Sequence, residues 1–246
     1  MAKERIAVTC LGSGAALGGE RLWSSLLLDE RILFGLPPTA VPQLYRLGKD
    51  PTAIDYLFIC HRHADHFFGL PFYLLLYRFL YARTRPLYVI GPAGMEKATM
   101  ELCEIAWPEF PDDAVGYKVP LSFVEVDCDG EYAAGELRFR AVKMVHFGMD
   151  AYGFRFRYKG REVAFTGDTE DCPQLDSLLG GADLVITEFT HAFRTEGAGH
   201  LGTAAVSRIV ERVRARGATV LATHLGGEPA PIDGLTVCRD GETYLV

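Results

Sequence analysis

Residues 59–70 read ICHRHADHFFGL, which places His61, His63, Asp65 and His66 within six positions in an H-x-H-x-D-H spacing. The group follows directly on Asp55 to Cys60 (DYLFIC), a short and nearly all-apolar run. Such a run reads as a buried strand. A loop leaving a buried strand can aim four polar side chains into one place. Neutral imidazole and carboxylate are the usual ligands of zinc and its neighbours. The whole chain holds only 7 histidines, so the grouping does not follow from a histidine-rich composition. Any fold for this chain must bring the end of a buried strand to a point where these groups converge.

Three further candidates occupy equivalent places. His146 follows AVKMV, Asp168 closes EVAFTG, and His224 closes TVLAT. Each apolar stretch predicts a strand with a ligand at its end. Strand ends gather at one edge of a sheet, so these groups can meet the 61–66 loop.

The remaining pattern fills in the frame. Residues 5–11 predict a strand, 24–34 a strand pair turning at Asp29-Glu30, and 38–48 a short helix closed by Gly48. Helical apolar content continues from Gly69 and Pro71 to Ala82, and residues 92–105 predict a helix behind the strand at 87–90. The stretches 121–126, 136–145 and 152–168 alternate apolar with polar. That predicts antiparallel strands with a hairpin turn at Lys159-Gly160. Residues 181–189 and 219–223 predict buried strands flanking an amphipathic helix over 203–216. The expectation is a single α/β domain over 1–246, with antiparallel sheets inside and helices outside.

Composition narrows the function. At 49% hydrophobic and 23% charged residues, the chain has ample material for a core, and a metal is not needed as a staple. The net charge of −7 counts against a scaffold for long nucleic acid, which is usually basic. The six cysteines, Cys10, Cys60, Cys103, Cys128, Cys172 and Cys238, include no C-x-x-C pair and read as reduced thiols. The start, MAKERIAVTC, shows no apolar core of a signal peptide. The aromatic run Phe67–Ala82 is shorter than a membrane span of ~20 residues. A cytoplasmic protein without membrane contact is expected. Gly12-Ser13-Gly14 lacks the third glycine of a dinucleotide fingerprint, since Leu17 stands at that place.

Taken together, GSGAALGGERLWSSLLL, the H-x-H-x-D-H loop, the GDT turn at 167–169, GHLGTAAV and the final ATHL resemble the metallo-β-lactamase superfamily, and most closely its ribonuclease Z-like branch. The resemblance implies a four-layer αββα sandwich with metals at one edge between the sheets. It implies that His61, His63 and His146 hold one divalent ion, that Asp65, His66 and His224 hold a second, and that Asp168 bridges them. Zinc is the expected metal, with manganese or iron as alternatives. Two ions can bring the pKa of a bridging water towards 7, and Asp65 can orient that water or accept its proton. His200 matches the branch's histidine that serves the leaving oxygen or the developing phosphorane charge, although Leu201 and Gly202 replace its hydroxyl-bearing neighbours. Capping of the following helix is the competing reading of His200. Glu188 resembles an acidic position near that histidine or is a plain strand-end carboxylate, and His191 reads as a surface-loop residue.

Two departures bear on chemistry. Where many members carry Asp-x-Gly, this chain has Phe34-Gly35-Leu36, without a carboxylate. Between His146 and Asp168 there are 168 − 146 = 22 positions, room for one hairpin and not for the tRNA-clamping arm of ribonuclease Z. The run Arg155, Arg157, Lys159, Arg161 reads as a solvated hairpin face. Phe67, Phe68 and the tyrosines after them form either a buried helix or a wall of the pocket or dimer contact. The expected activity is hydrolysis of a small phosphodiester. Hydrolysis of a lactone, β-lactam, thioester or sulfate ester stands as the alternative, followed by tRNA 3′ processing and a non-catalytic binding role. A homodimer is implied by the resemblance alone.

Overall fold

The computed structural model describes residues 3–109, 118–193 and 198–246. Two seven-stranded sheets face each other. The first contains β1 (Ala7–Gly12), β2 (Ser25–Leu28), β3 (Ile32–Phe34), β4 (Tyr56–Phe58), β5 (Leu87–Pro92) and β6 (Leu121–Val126), with β14 (Thr243–Leu245) beyond β1. The second runs from β7 (Gly130–Ala134) through β8 (Leu137–Met144), β9 (Ala151–Tyr158), β10 (Arg161–Phe165), β11 (Leu184–Phe189) and β12 (Thr219–Leu225) to β13 (Leu235–Val237).

Helices α1 (Ala40–Arg46), α3 (Leu70–Phe79) and α4 (Met95–Ala106) cover the first sheet through one apolar cluster. Helices α5 (Gln174–Leu179) and α6 (Thr203–Arg214) cover the second through another. The four-layer αββα expectation holds. The inner layer is largely aromatic. Phe34 lies 4.5 Å from Phe165 across the sheets, and Phe58 stacks on Phe156 at 5.6 Å. Offset and edge contacts of this kind add to plain burial.

Several expectations need correction. Both sheets are mixed, since β3 to β6 and β10 to β13 run parallel. The strand at 121–126 joins β5 in parallel through α4 and does not begin the antiparallel run, which is β7 to β10. Alternation reports which faces are wet, and it is blind to partner direction. The apolar stretch after the histidine loop is broken by Gly69. A one-turn helix α2 (Ala64–Phe67) precedes it and α3 follows. A Cβ at residue 69 would lie 2.4 Å from the carbonyl oxygen of Pro37. The short elements β7, β13, β14 and α5 carry too little pattern to be foreseen. The two hairpin turns fall as expected: Asp29-Glu30 and Lys159-Gly160 all have positive φ, the geometry that suits tight hairpins. All six cysteines are free. Among the described residues no helix is long and apolar enough to cross a membrane.

An ionic knot anchors the strand that carries the histidine loop. Asp55, buried just before β4, accepts from Arg31 Nη2 at 2.6 Å and Arg83 Nη2 at 2.7 Å and forms an ion pair with Arg85 Nε at 2.8 Å. Arg83 is itself buried, with its side chain 6% exposed, and also donates to the carbonyls of Thr52, Ile54 and Pro86. Removing one partner of such a pair strands the other charge in a poor solvent. Asp55→Ala should therefore destabilise the fold by ~3–5 kcal/mol in urea titration. A loss under ~1 kcal/mol would show that solvent already reaches Arg83.

Candidate metal centre

The end of β4 carries the chain into His61, and the one-turn helix α2 fans out the next three groups. His63 precedes its first residue, and Asp65 and His66 lie within it. Two backbone bonds fix this loop: Leu36 N–H donates to the His66 carbonyl at 2.7 Å, and Tyr152 N–H donates to the Cys60 carbonyl at 2.9 Å. The second bond joins the two sheets at the site. Gly167 (φ +59°) lets the turn after β10 close on the same loop, since a Cβ there would lie 2.6 Å from Cys60 Cβ. Only a residue without a side chain fits that approach. Asp168 follows directly.

Six of the seven expected ligands fall into two triads, and the seventh stands between them. His61 Nε2 and His146 Nε2 lie 2.8 and 3.2 Å from His63 Nδ1. Asp65 Oδ2 lies 3.2 Å from His224 Nε2 and 3.5 Å from His66 Nε2. Asp168 Oδ2 is 3.2 Å from both His66 Nε2 and His224 Nε2, and 3.9 Å from His61 Nε2. All except His63 are buried.

The outer nitrogens decide what the inner ones can do. His146 Nδ1 faces the Gly199 carbonyl at 2.7 Å, and a carbonyl only accepts, so Nδ1 carries the proton and Nε2 a lone pair. Thr190 Oγ1 has one hydrogen, and both Glu188 Oε2 at 2.7 Å and the His224 carbonyl at 3.1 Å are pure acceptors for it. The hydroxyl must then accept from His224 Nδ1–H at 2.7 Å. His224 Nε2 consequently turns a lone pair towards two carboxylates. His66 Nε2 is buried without a hydrogen-bond partner. Lone pairs of imidazoles and carboxylates packed this closely repel each other unless a cation lies among them. The donor set therefore fits divalent metal ions.

The titration behaviour divides the ligands. Burial pushes His61, His63 and His146 below the ordinary imidazole value, towards the neutral form that ligates. His66 moves the other way: burial opposes its charge, but Asp168 and the Cys60 sulfur outweigh burial. Burial also opposes charge on Asp65, yet the adjoining His224 and His66 rings bring it to about 2. Asp168 is held well below the carboxylate range by His224 and His66, against its burial.

Cys60 occupies the back of the cluster. Its Sγ lies 3.1 Å from His61 Nδ1 and 3.8 Å from His66 Nδ1, so one sulfur stands behind one histidine of each triad. The carboxylate missing from Phe34-Gly35-Leu36 leaves Gly35 there, whose absent Cβ would sit 3.8 Å from His66 Nδ1.

His200 does not cap α6, whose N-cap is Gly202. Its Nδ1 donates to Glu188 Oε1 at 3.0 Å and lies 3.9 Å from Asp168 Oδ2. Glu188 is buried and also accepts from the Thr169 and Thr190 backbone N–H groups. Burial lowers the His200 pKa, but the bond and the charge of Glu188 raise it on balance. His191 is not a free surface residue. It is half-buried, bridges to Gly202, and lines the cavity over the site together with His200. Phe67 and Phe68 do not line that cavity. Phe67 packs into the core beneath α3, while Phe147 and Phe193 form the aromatic part of the wall. The places of Thr190 and Cys60 beside the cluster leave no trace in the sequence, because a lone threonine or cysteine beside a strand end carries no pattern.

The beta-lactamase superfamily domain matches residues 29–225. Ribonuclease Z of Pyrobaculum neutrophilum is 28% identical over 245 residues, covering 86% of this chain and 83% of its own length. The crystal structure of human tRNase Z, short form, superposes with a TM-score of 0.77 at 22% identity, covering 97% of this chain and 98% of that one. A diphosphatase of the PhnP family superposes with a TM-score of 0.74 at 19% identity over 97% of each chain. With its two-sheet frame and its histidine–aspartate edge, the chain belongs to the metallo-β-lactamase superfamily, in the ribonuclease Z-like branch.

Proposed function

We propose that the protein is a dinuclear metal-dependent hydrolase of small phosphodiesters. The observation that carries this reading is the position of Asp168 Oδ2 between the two triads, with the Glu188–His200 pair on its open side. His61, His63 and His146 would hold one ion, Asp65, His66 and His224 the other, and Asp168 both, with zinc the best match to this donor set. When bound, such a pair of ions supplies Lewis acidity towards a phosphoryl group and a readily deprotonated water.

The chain's own residues do the rest. Asp65, buried in the cluster and held ionised, orients the water and accepts a proton at Oδ1 or Oδ2. His200 is fixed by Glu188 through Nδ1, which leaves Nε2 to donate a proton to the leaving oxygen. The buried Glu188 prevents the ring from turning and stabilises its charged form. Relatives in this branch carry the name ribonuclease Z. In this chain β9 and β10 join through a two-residue turn, so the stretch between His146 and Asp168 holds no arm. Three of its cations are tied to the chain itself: Arg155 donates to the Gly180 carbonyl, Arg161 to that of Glu4, and Lys159 pairs with Asp29. These features favour a small substrate over tRNA.

Three outcomes are expected. Elemental analysis of purified protein should find close to two divalent ions per chain, and chelation should lower the melting temperature; one ion or none would sink the dinuclear assignment. His200→Ala and Glu188→Gln should each cut turnover of bis(p-nitrophenyl) phosphate, His200→Ala by ~100-fold or more, with metal content unchanged. Equal rates on this diester, or activity confined to lactones and cephalosporins in the same screen, would overturn the phosphodiester reading. Cys60→Ala should weaken metal binding ~10–100-fold in chelator competition, because two ligating imidazoles lose their support, and Cys60→Ser should recover part of it. Unchanged affinity in Cys60→Ala would remove that role.

A further inference from the structure

The cavity over the candidate centre has a volume of about 460 Å³, within the ~300–1,000 Å³ of small-molecule sites. Its floor is polar and its mouth is not. Leu17 is 94% exposed, Phe147 59% and Phe193 72%, and all three line it. Large apolar side chains gathered in one open patch, as opposed to scattered singly, mark a binding surface. Among the described lining residues there is no lysine or arginine.

Backbone bonds hold the turns of Leu17 and Phe147, and Phe193 is seated by the packing of its ring. Leu17 sits in a turn closed by Gly18 N–H to the Ala15 carbonyl at 2.9 Å, and Ala15 N–H is tied to the Leu225 carbonyl at 3.0 Å. Phe147 takes φ +44°, a left-handed conformation that is strained for an aromatic residue. Met149 N–H closes its turn on the His146 carbonyl at 2.8 Å. Its ring covers Gly199, where a Cβ would lie 2.1 Å from Phe147 Cζ. The Phe193 ring covers Gly227 in the same manner, at 2.0 Å. Both rings thus lie against bare backbone, and the Phe147 centroid is 5.6 Å from that of His200. Strain kept at a site mouth is a mark of use.

We propose that Leu17, Phe147 and Phe193 form a subsite for a flat aromatic substituent of the substrate, a nucleobase or an aryl group, next to the scissile phosphoester. This rests on the phosphodiester reading and names the substrate class within it. The phosphate is left to the polar floor, and the ring it carries is gripped by apolar contact and stacking. No described cation waits at the mouth for a second phosphate.

The test uses metal-loaded protein titrated calorimetrically with phenylphosphonate and with methylphosphonate, alongside turnover of bis(p-nitrophenyl) phosphate. Stacking of one aromatic ring supports an expected preference for the phenyl compound of about ten- to a hundredfold. Phe147→Ala, Phe193→Ala and Leu17→Ala should each reduce that ratio, with metal stoichiometry unchanged. Phe193 and Leu17 are not adjacent in sequence to candidate ligands, so their variants decide the matter if Phe147→Ala disturbs the centre. Equal binding of the two phosphonates by the wild-type protein, with turnover present, overturns the subsite and leaves the hydrolase reading standing. A phenyl preference that disappears in the variants, without diester turnover, keeps the apolar subsite and overturns the reaction.

Discussion

An imidazole lone pair aimed at a carboxylate is a repulsive contact, and this protein builds several of them into one buried place. His224 Nε2 faces Asp65 and Asp168 at 3.2 Å each. The proton that would relieve the contact is committed on the far side of the ring, to Thr190. The fold has to supply the energy that holds such an arrangement together. It does so with two flanking helix layers and an aromatic interior, in which Phe34, Phe58, Phe156 and Phe165 lock the sheets together. Backbone strain is part of the same account: His224 itself takes φ +53°, at a cost on the order of 1–3 kcal/mol for such a residue. A cation placed between the triads turns the repulsive contacts into ligation, so the folded state is completed by what it binds.

Much of this could be read from the sequence, for a definite reason. Apolar runs announce buried strands, and a polar residue at the end of such a run is delivered to a sheet edge. That logic alone places His61, His146, Asp168 and His224. Direction of pairing does not show in the pattern: β6 alternates like its neighbours in sequence yet pairs parallel with β5. Groups that act through one hydrogen bond leave still less trace. Thr190 has one hydrogen to give, and its effect on His224 depends on Glu188 standing 2.7 Å away. His191 shows the opposite error. Its loop context suggests solvent, but its backbone bridge to Gly202 folds it inward.

The position of Cys60 illustrates how one scaffold absorbs the loss of a supporting group. A carboxylate behind a ligating histidine orients the ring and raises its basicity. Here glycine stands at residue 35, and the sulfur of the residue before the histidine loop takes up the space between His61 and His66. A thiol is a weaker acceptor than a carboxylate, and it adds no formal charge while protonated. The ions in this chain would then experience less negative charge from behind than they would beside an aspartate, which favours stronger polarisation of whatever they bind in front.

On the proposed reading, charge distribution favours a small substrate over a long RNA. Long RNA is held mainly through its phosphates, and each contact needs a free cation. In this chain Arg155, Lys159 and Arg161 of the β9–β10 hairpin are spent on carbonyls and on Asp29, and the net charge of −7 repels a polyanion at long range. A small diester with a single negative charge would suffer that repulsion once, and metal ions held at the cavity floor would offset it directly. Apolar grip at the mouth is insensitive to salt and to net charge. On the proposed reading, an acidic protein that admits one phosphate and discriminates among its substituents would gain more from such walls than from another arginine.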